Sequence, residues 1–414
     1  MNAAAPRIPA MDVLRGCAVM GIVWMNITGF ALPQSAYFDP VAAGPLSAGD
    51  IAFWLFGLLV IDGKMRGLFS LLFGASMLLF IDREEMAGRD GRRSHVVRSA
   101  WLFLFGLAHY LLLWWGDILM TYAVVGLAAL LFVRLEPMAL VKWAFGAFLV
   151  HFLICTGFVA SLYAWAHVAA APGASIEVTH GFADFIRSLS DPASAAIQAE
   201  LTTYRGSFDT ILAHHLAGYP GQWLWSLMFT GLDTLGFMLL GMAMLKGGFL
   251  TGRWQADQYW RTARHCFLIG LPPMIALGLW IIASGFAPLP AYGTALAWSF
   301  PCRIPLTVGW ASLILWVWAR HRQHPLTLRI AATGRMALSN YLGTSLVMTA
   351  IFYGWGLGLF GHVQPALFPL FILPAWAVML IWSPLWQKRF AVGPVEWLWR
   401  RLAQLTTQKI RKSS

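Results

Sequence analysis

The sequence is short of charge. Asp, Glu, Lys and Arg make up only 11% of its 414 residues, against roughly 25% in an average soluble protein. With 59% apolar residues, a water-soluble fold would have too few polar side chains to cover its surface. A soluble enzyme and a disordered chain are both excluded. Clustered cysteine is lacking too. Cys17, Cys155, Cys266 and Cys302 stand far apart, with no CxxC and no Cys/His cluster. That argues against a disulfide-stapled secreted domain and against a zinc site, and no metal is expected. A cleavable signal pattern is not expected either, because the first apolar run, after Arg15, continues far past a signal peptide's apolar region. P-loop, GxGxxG, GxSxG and HExxH motifs are missing, and so is the two-residue alternation of a transmembrane β-barrel.

What is present is a series of apolar runs. A bilayer core about 30 Å thick needs about 20 apolar residues in a helix. Ten spans are read on that basis: 13–32, 51–82 (long and interrupted), 99–116, 118–133, 138–168, 222–245, 265–286, 300–319, 336–357 and 364–386. The expected fold is all-α, a polytopic membrane bundle of about ten helices. The chain divides into a five-span half (1–168), an extracytoplasmic loop (169–221), a second five-span half (222–386) and a basic tail (387–414). The stretches 83–98 and 246–264 read as loops. Ten spans put both termini on one side. If that side is cytoplasmic, 24 of the 29 Lys and Arg lie on it, leaving only Lys64, Arg66, Arg187, Arg205 and Arg303 elsewhere. This asymmetry fixes the orientation by the positive-inside rule. It also accounts for most of the net charge of +11 without a nucleic acid. The expected location is the bacterial inner membrane, with anionic inner-leaflet lipids as partners. The tail Glu396-Trp-Leu-Trp-Arg-Arg401 suits an interfacial helix.

Polar groups at membrane depth are costly, so they mark candidate sites. Asp12 and Arg15 share a face of the first span and can pair. Asn26, eleven residues after Arg15, points the same way about 16 Å along the axis. The second traverse breaks at Asp62-Gly-Lys64-Met-Arg66-Gly67. Three charges at an interior break need a cavity, a salt-bridge network or an outer turn. Two cations and one anion would leave a pocket for a carboxylate or phosphate. His109 lies in the third span and Asp117 eight residues later, roughly 12 Å of rise on a straight helix. A dyad would therefore need a bend, a bridging water or other partners. Asp233 in the sixth span needs a partner, with Arg303 or Lys64 as candidates. Asn340 and Tyr341 lie early in the ninth.

Several strings match a known family. They are Asp12-Val-Leu-Arg-Gly-Cys-Ala-Val-Met-Gly-Ile with Asn26, Leu68-Phe-Ser-Leu-Leu-Phe-Gly74, Gly106-Leu-Ala-His109, and Leu113-Trp-Trp-Gly-Asp117-Ile-Leu with Tyr122. Met238-Leu-Leu-Gly-Met-Ala, Gly334-Arg-Met-Ala-Leu-Ser-Asn340-Tyr341-Leu and Gly393-Pro-Val-Glu-Trp-Leu-Trp follow in order. Together they resemble the YeiB-like bacterial membrane proteins. That family is distantly similar to a clan of membrane acyltransferases that includes heparan-alpha-glucosaminide N-acetyltransferase. The resemblance implies acyl transfer from a cytoplasmic coenzyme A thioester to a substrate at the other face. The Asp-x-x-Arg-Gly opening carries most of the likeness to the clan.

On this reading acetyl-CoA or another acyl-CoA meets basic residues including Arg92, Arg93 and Arg98. His109 acts as general base on an acceptor hydroxyl or amine, borne by a small molecule, glycan or lipid, and Asp117 orients it. Arg15, Asn26, Asp62, Lys64, Arg66, Asp233, Arg303, Asn340 and Tyr341 form the expected substrate-binding set. A proton-coupled transporter or exporter of a small anionic or amphipathic solute is the alternative, with Asp62, His109 and Asp233 as proton carriers. A non-catalytic lipid-binding protein is a third reading, and a homo-oligomer is left open.

Overall fold

A computed structural model describes residues 8–412. Of the cations counted on the cytoplasmic side, Arg7 lies outside the described residues, as do the side chains of Lys409, Arg411 and Lys412. Within the described residues the structure is helical, without strands. The first half holds α1 (Pro9–Ala31), α2 (Ala48–Phe56), α3 (Lys64–Met86), α4 (Gly91–Leu112), α5 (Leu119–Ala129) and α6 (Pro137–Ala169). Three short helices follow, α7 (Ile176–Ser190), α8 (Ala195–Tyr204) and α9 (Phe208–Gly218). The second half holds α10 (Gly221–Lys246), α11 (Ala256–Ala283), α12 (Pro288–Gly293), α13 (Phe300–Arg320), α14 (Pro325–Arg335), α15 (Ala337–Phe352) and α16 (Pro369–Gln387), and α17 (Pro394–Lys412) ends the chain.

Eight helical stretches among the described residues are long and apolar enough to cross a membrane, counting α2–α3 as one. Two shorter apolar helices, 119–132 and α15, complete the ten spans read from the sequence. The protein is a polytopic helical membrane bundle. α1 and α10 are its most enclosed spans, and α6, α11 and α16 its most exposed. The latter turn Leu149, Leu153, Leu268, Ile269, Leu370 and Leu373 outward, as a lipid-facing surface requires. The inner helices cross closely: α14 rests on α1 at Gly334, where a methyl group would overlap the carbonyl of Asp12.

The second traverse is interrupted, as its composition implied. A π-helical turn over Gly57–Ile61 leads into Gly63, whose φ of 71° is the left-handed conformation that only glycine adopts cheaply. Two stretches read as loops are partly helical. Residues 91–98 are the first two turns of α4, started by the Asp90 carboxylate on the Arg93 amide, and 256–264 begin α11. Their polar side chains suit a helix end that projects past the hydrocarbon. The loop 169–221 is also folded, because Ser175, Ser194 and Ser207 each cap a short helix.

α17 is amphipathic. Trp399 donates its Nε1–H to the Arg98 carbonyl at 2.9 Å, and Trp101 donates to Thr406 Oγ1 at 3.0 Å. These bonds seat one face of α17 on α4. Glu396 reaches α15 and accepts from the Leu338 and Ser339 amides, where free N–H groups attract an anion. Trp397, Leu398 and Leu405 stay exposed on the other face.

Candidate functional site

α4 ends at Leu112 because the chain tightens there: the amides of Leu113 and Trp114 both bond the His109 carbonyl at 2.9 Å. The following turn reverses direction and brings Asp117 back under the helix. His109 Nδ1 lies 2.8 Å from Asp117 Oδ2, with both side chains almost wholly buried. The direct contact that a straight helix forbade is made through this break. A carboxylate only accepts, so beside ionised Asp117 the shared hydrogen is on Nδ1, and the neutral form of the ring carries its lone pair on Nε2. His109 Nε2 is buried and has no hydrogen-bond partner among the described residues. Asp117 Oδ1 meanwhile accepts from the Met120 amide at 2.9 Å and starts α5. Gly106 makes the approach possible, since a Cβ there would collide with Met120 N and Asp117 Oδ1.

α5 is short, and residues 119–132 rise only about 21 Å at 1.5 Å each. The turn carrying Asp117 therefore lies below the outer membrane surface. Irregular backbone at that depth needs a protein environment, and it has one. Trp114 donates to the Gly29 carbonyl at 3.1 Å, and the Tyr341 ring packs tilted against His109 with ring centres 5.1 Å apart. From outside, His215 caps the end of α4 through the Leu111 carbonyl (3.1 Å) and bonds Tyr204 (3.1 Å). Glu200 accepts from the Gln34 amide at 2.8 Å. Gln222 links the Gln34 side chain to the Tyr110 hydroxyl. Burial pushes the Glu200 carboxyl up to about 7 and His215 down to about 4.

On the cytoplasmic side a cavity of about 820 Å³ opens between α1, α3, α4, α14 and α17. Arg15, Arg83, Arg89, Arg98, Arg335 and Arg400 line it, against Asp12, Glu84 and Glu396. Its deep end is apolar, formed by Phe69, Leu72, Leu102 and Leu119 with Tyr122. Leu119 is two residues past Asp117, and the wall residues Ala337 and Leu338 are one turn before Tyr341. His109, Asp117 and Tyr341 themselves are not among the residues that line the cavity.

The remaining sequence-selected residues distribute themselves around these two features. Arg15 bonds Asp12 at 2.9 Å and Ser76 at 2.7 Å on the cavity wall. Asn26 is buried further along the same helix. Arg98 lines the cavity; Arg92 and Arg93 do not. The three charges of the broken traverse make different contacts, while Arg303 packs over Gly63 among them. Asp62 borders a small outer pocket with Trp24 and Tyr37. Lys64 bonds the Leu58 carbonyl and Arg66 grips Asp233. Asp233 was expected to pair with Arg303 or Lys64, but Arg66 holds both its oxygens because α3 packs lengthwise on α10. Arg303 bonds the Ala295 carbonyl at 2.8 Å. Asn340 is fully engaged with the Thr333 carbonyl, Ser383 and Trp382, so it ties α14, α15 and α16 together. Sequence reasoning missed Arg83, Arg89, Arg335 and Arg400 as cavity residues. They come from three segments far apart in the chain and look like any topological cation.

The architecture defines a multi-pass helical membrane protein with a buried His–Asp pair and a separate arginine-lined cavity. A family described as "Protein of unknown function (DUF418)" matches residues 244–406. The chain is 32% identical to the uncharacterized protein YeiB of Escherichia coli (strain K12), over 95% of each chain. It is 30% identical to the uncharacterized protein YxaH of Bacillus subtilis (strain 168), over 99% of this chain and 97% of that one. The chain belongs to the YeiB-like family. No solved structure matches it.

Proposed function

We propose that this protein is an acyltransferase of the bacterial inner membrane. It moves an acyl group, such as acetyl, from a cytoplasmic coenzyme A thioester to an acceptor hydroxyl or amine on a small molecule, glycan or lipid. The observation that carries the reading is the unpartnered, buried Nε2 of His109, held by Asp117, in a bundle that also holds an arginine-lined cavity. His109 Nε2 accepts the proton of the acceptor O–H or N–H as that atom attacks the thioester carbonyl. Asp117 stabilises the resulting imidazolium through Nδ1–H. When the C–S bond breaks, His109 returns the proton to the departing sulfur. The cavity arginines offer charge-assisted bonds to the donor's phosphates, and the apolar deep end suits the acyl group and excludes water.

The test is acetyl transfer from labelled acetyl-CoA by purified protein in lipid, with a membrane extract as the source of acceptors. His109→Ala is expected to abolish transfer while the protein stays folded. Transfer at the wild-type rate by His109→Ala refutes the assignment. A second reading, proton-coupled export of a small anionic or amphipathic solute, draws support from the buried Arg66–Asp233 pair beside a broken traverse. Solute movement driven by a pH gradient in proteoliposomes, lost in Asp233→Asn, is its signature.

A further inference from the structure

The cavity's charge is unbalanced. Six arginines line it against three carboxylates among the described residues. One of the six is held in an unusual way. The guanidinium of Arg98 lies between two rings, 4.0 Å from the centre of Phe80 and 4.3 Å from that of Trp399. Contact of the guanidinium carbon with two rings holds the group in place by cation–π attraction and leaves its N–H groups for hydrogen bonding. They donate to no protein acceptor among the described residues, although Arg98 is only half-buried. A planar cation held by two rings, with its N–H groups open, is suited to a bidentate oxyanion. The two rings come from different places: Phe80 from α3 and Trp399 from α17. Trp399 also donates to the Arg98 carbonyl, and its neighbour Arg400 is close enough to repel Arg98. Glu84 lies near enough to Arg98 to offset part of that repulsion.

The wall on that side is α17 alone. Trp399, Arg400, Ala403, Gln404 and Thr407 face the cavity. The helix is tethered to the bundle by a handful of polar contacts at Glu396, Trp399 and Thr406.

We propose that the anion site of this cavity is built jointly by α4 and α17: Arg98, held between Phe80 and Trp399, binds a phosphate group, and α17 is the wall that closes over it. The ligand class is a phosphate-bearing molecule with an apolar or acyl-bearing end. This deepens the donor side of the acyltransferase reading, on which it rests for coenzyme A as the phosphate carrier. The same chemistry is offered by the headgroup of an anionic lipid of the inner leaflet.

The experiment measures equilibrium binding of coenzyme A, and separately of short-chain phosphatidic acid, to the purified full chain in neutral detergent. Wild type is compared with Arg98→Lys, which keeps the charge but loses the planar guanidinium, and with Trp399→Ala and Trp399→Phe. Coenzyme A is expected to bind wild type and to bind Arg98→Lys and Trp399→Ala about tenfold more weakly, with Trp399→Phe close to wild type. If only phosphatidic acid binds and shows the same pattern, the shared site stands and the coenzyme A reading falls. Binding of neither probe, or equal affinity in wild type, Arg98→Lys and Trp399→Ala, overturns the proposal. A Trp399→Phe as weak as Trp399→Ala overturns the cation–π role. Because Arg98→Lys leaves α17 and its tethers in place, a loss there is not a loss of fold.

Discussion

His109 and Asp117 are eight residues apart in the chain and 2.8 Å apart in space. The end of α4 at Leu112 makes the difference. Asp117 has two duties, one oxygen on His109 and the other on the Met120 amide in the first turn of α5. Forming the helix junction therefore also orients the imidazole.

This relationship separates orientation from fold. In Asp117→Asn the side chain still offers an oxygen to Met120 but can present an N–H to His109, which favours the opposite tautomer. The expected result is a fall in kcat of about 10²–10⁴ with near-normal thermal stability. Acetyl transfer rates and a melting curve measured on the same preparation check it. A wild-type rate counts against Asp117 as the orienting group.

Gly106 carries a steric prediction. In Gly106→Ala the added methyl pushes the α5 start away, and the strain is expected to cost about 1–3 kcal/mol. Transfer should fall as well, because Asp117 moves off His109. Unchanged thermal stability would show that the turn yields without cost.

Arg66 and Asp233 form a buried pair across α3 and α10. Removing one partner leaves an uncompensated charge, so Asp233→Ala or Arg66→Ala is expected to cost about 3–5 kcal/mol. The double variant Arg66→Met with Asp233→Leu should recover much of that loss. Thermal unfolding in one detergent compares the three. A double variant worse than both singles would show that the pair does more than balance charge.

The outer helices carry a pH dependence. Glu200 is raised in the folded state from 4.5 to about 7. Its protonated form is therefore favoured by folding. The stability it contributes is complete below about pH 4.5 and is lost as pH rises through about 7. His215 works in the opposite sense: it is lowered from 6.5 to about 4, so its contribution is lost as pH falls through that range. Hydrogen exchange at the Gln34 amide is expected to quicken between pH 5 and 8, beyond the intrinsic base-catalysed rise. Glu200→Gln should remove that excess, and an excess that persists in Glu200→Gln would place its origin elsewhere.

How much was legible in the sequence depends on whether a feature is local. The ten spans were legible because burying helical backbone in lipid needs a continuous apolar run, and α5 and α15 were found although they are short. The break at Asp62-Gly63 was legible because charge and glycine do not continue an apolar helix. His109 and Asp117 were both singled out, but their contact was not, since it depends on where α4 stops. That stop is made by two amides bonding one carbonyl, which composition does not encode. The partner of Asp233 was misread for a related reason: which cation reaches it is set by the register of α3 against α10.

The sequence by itself determined the solvent and the apolar runs long enough to cross it, because hydrophobic burial acts on each segment separately. Only the tertiary structure decided which cations leave topology and serve a site. Arg83, Arg89, Arg98, Arg335 and Arg400 converge on one cavity because helix packing brings three distant segments, 83–98, α14 and α17, together. The pairing of charges at depth was decided there too, because in a low-dielectric interior each charged group must find its partner in space, whatever its distance along the chain.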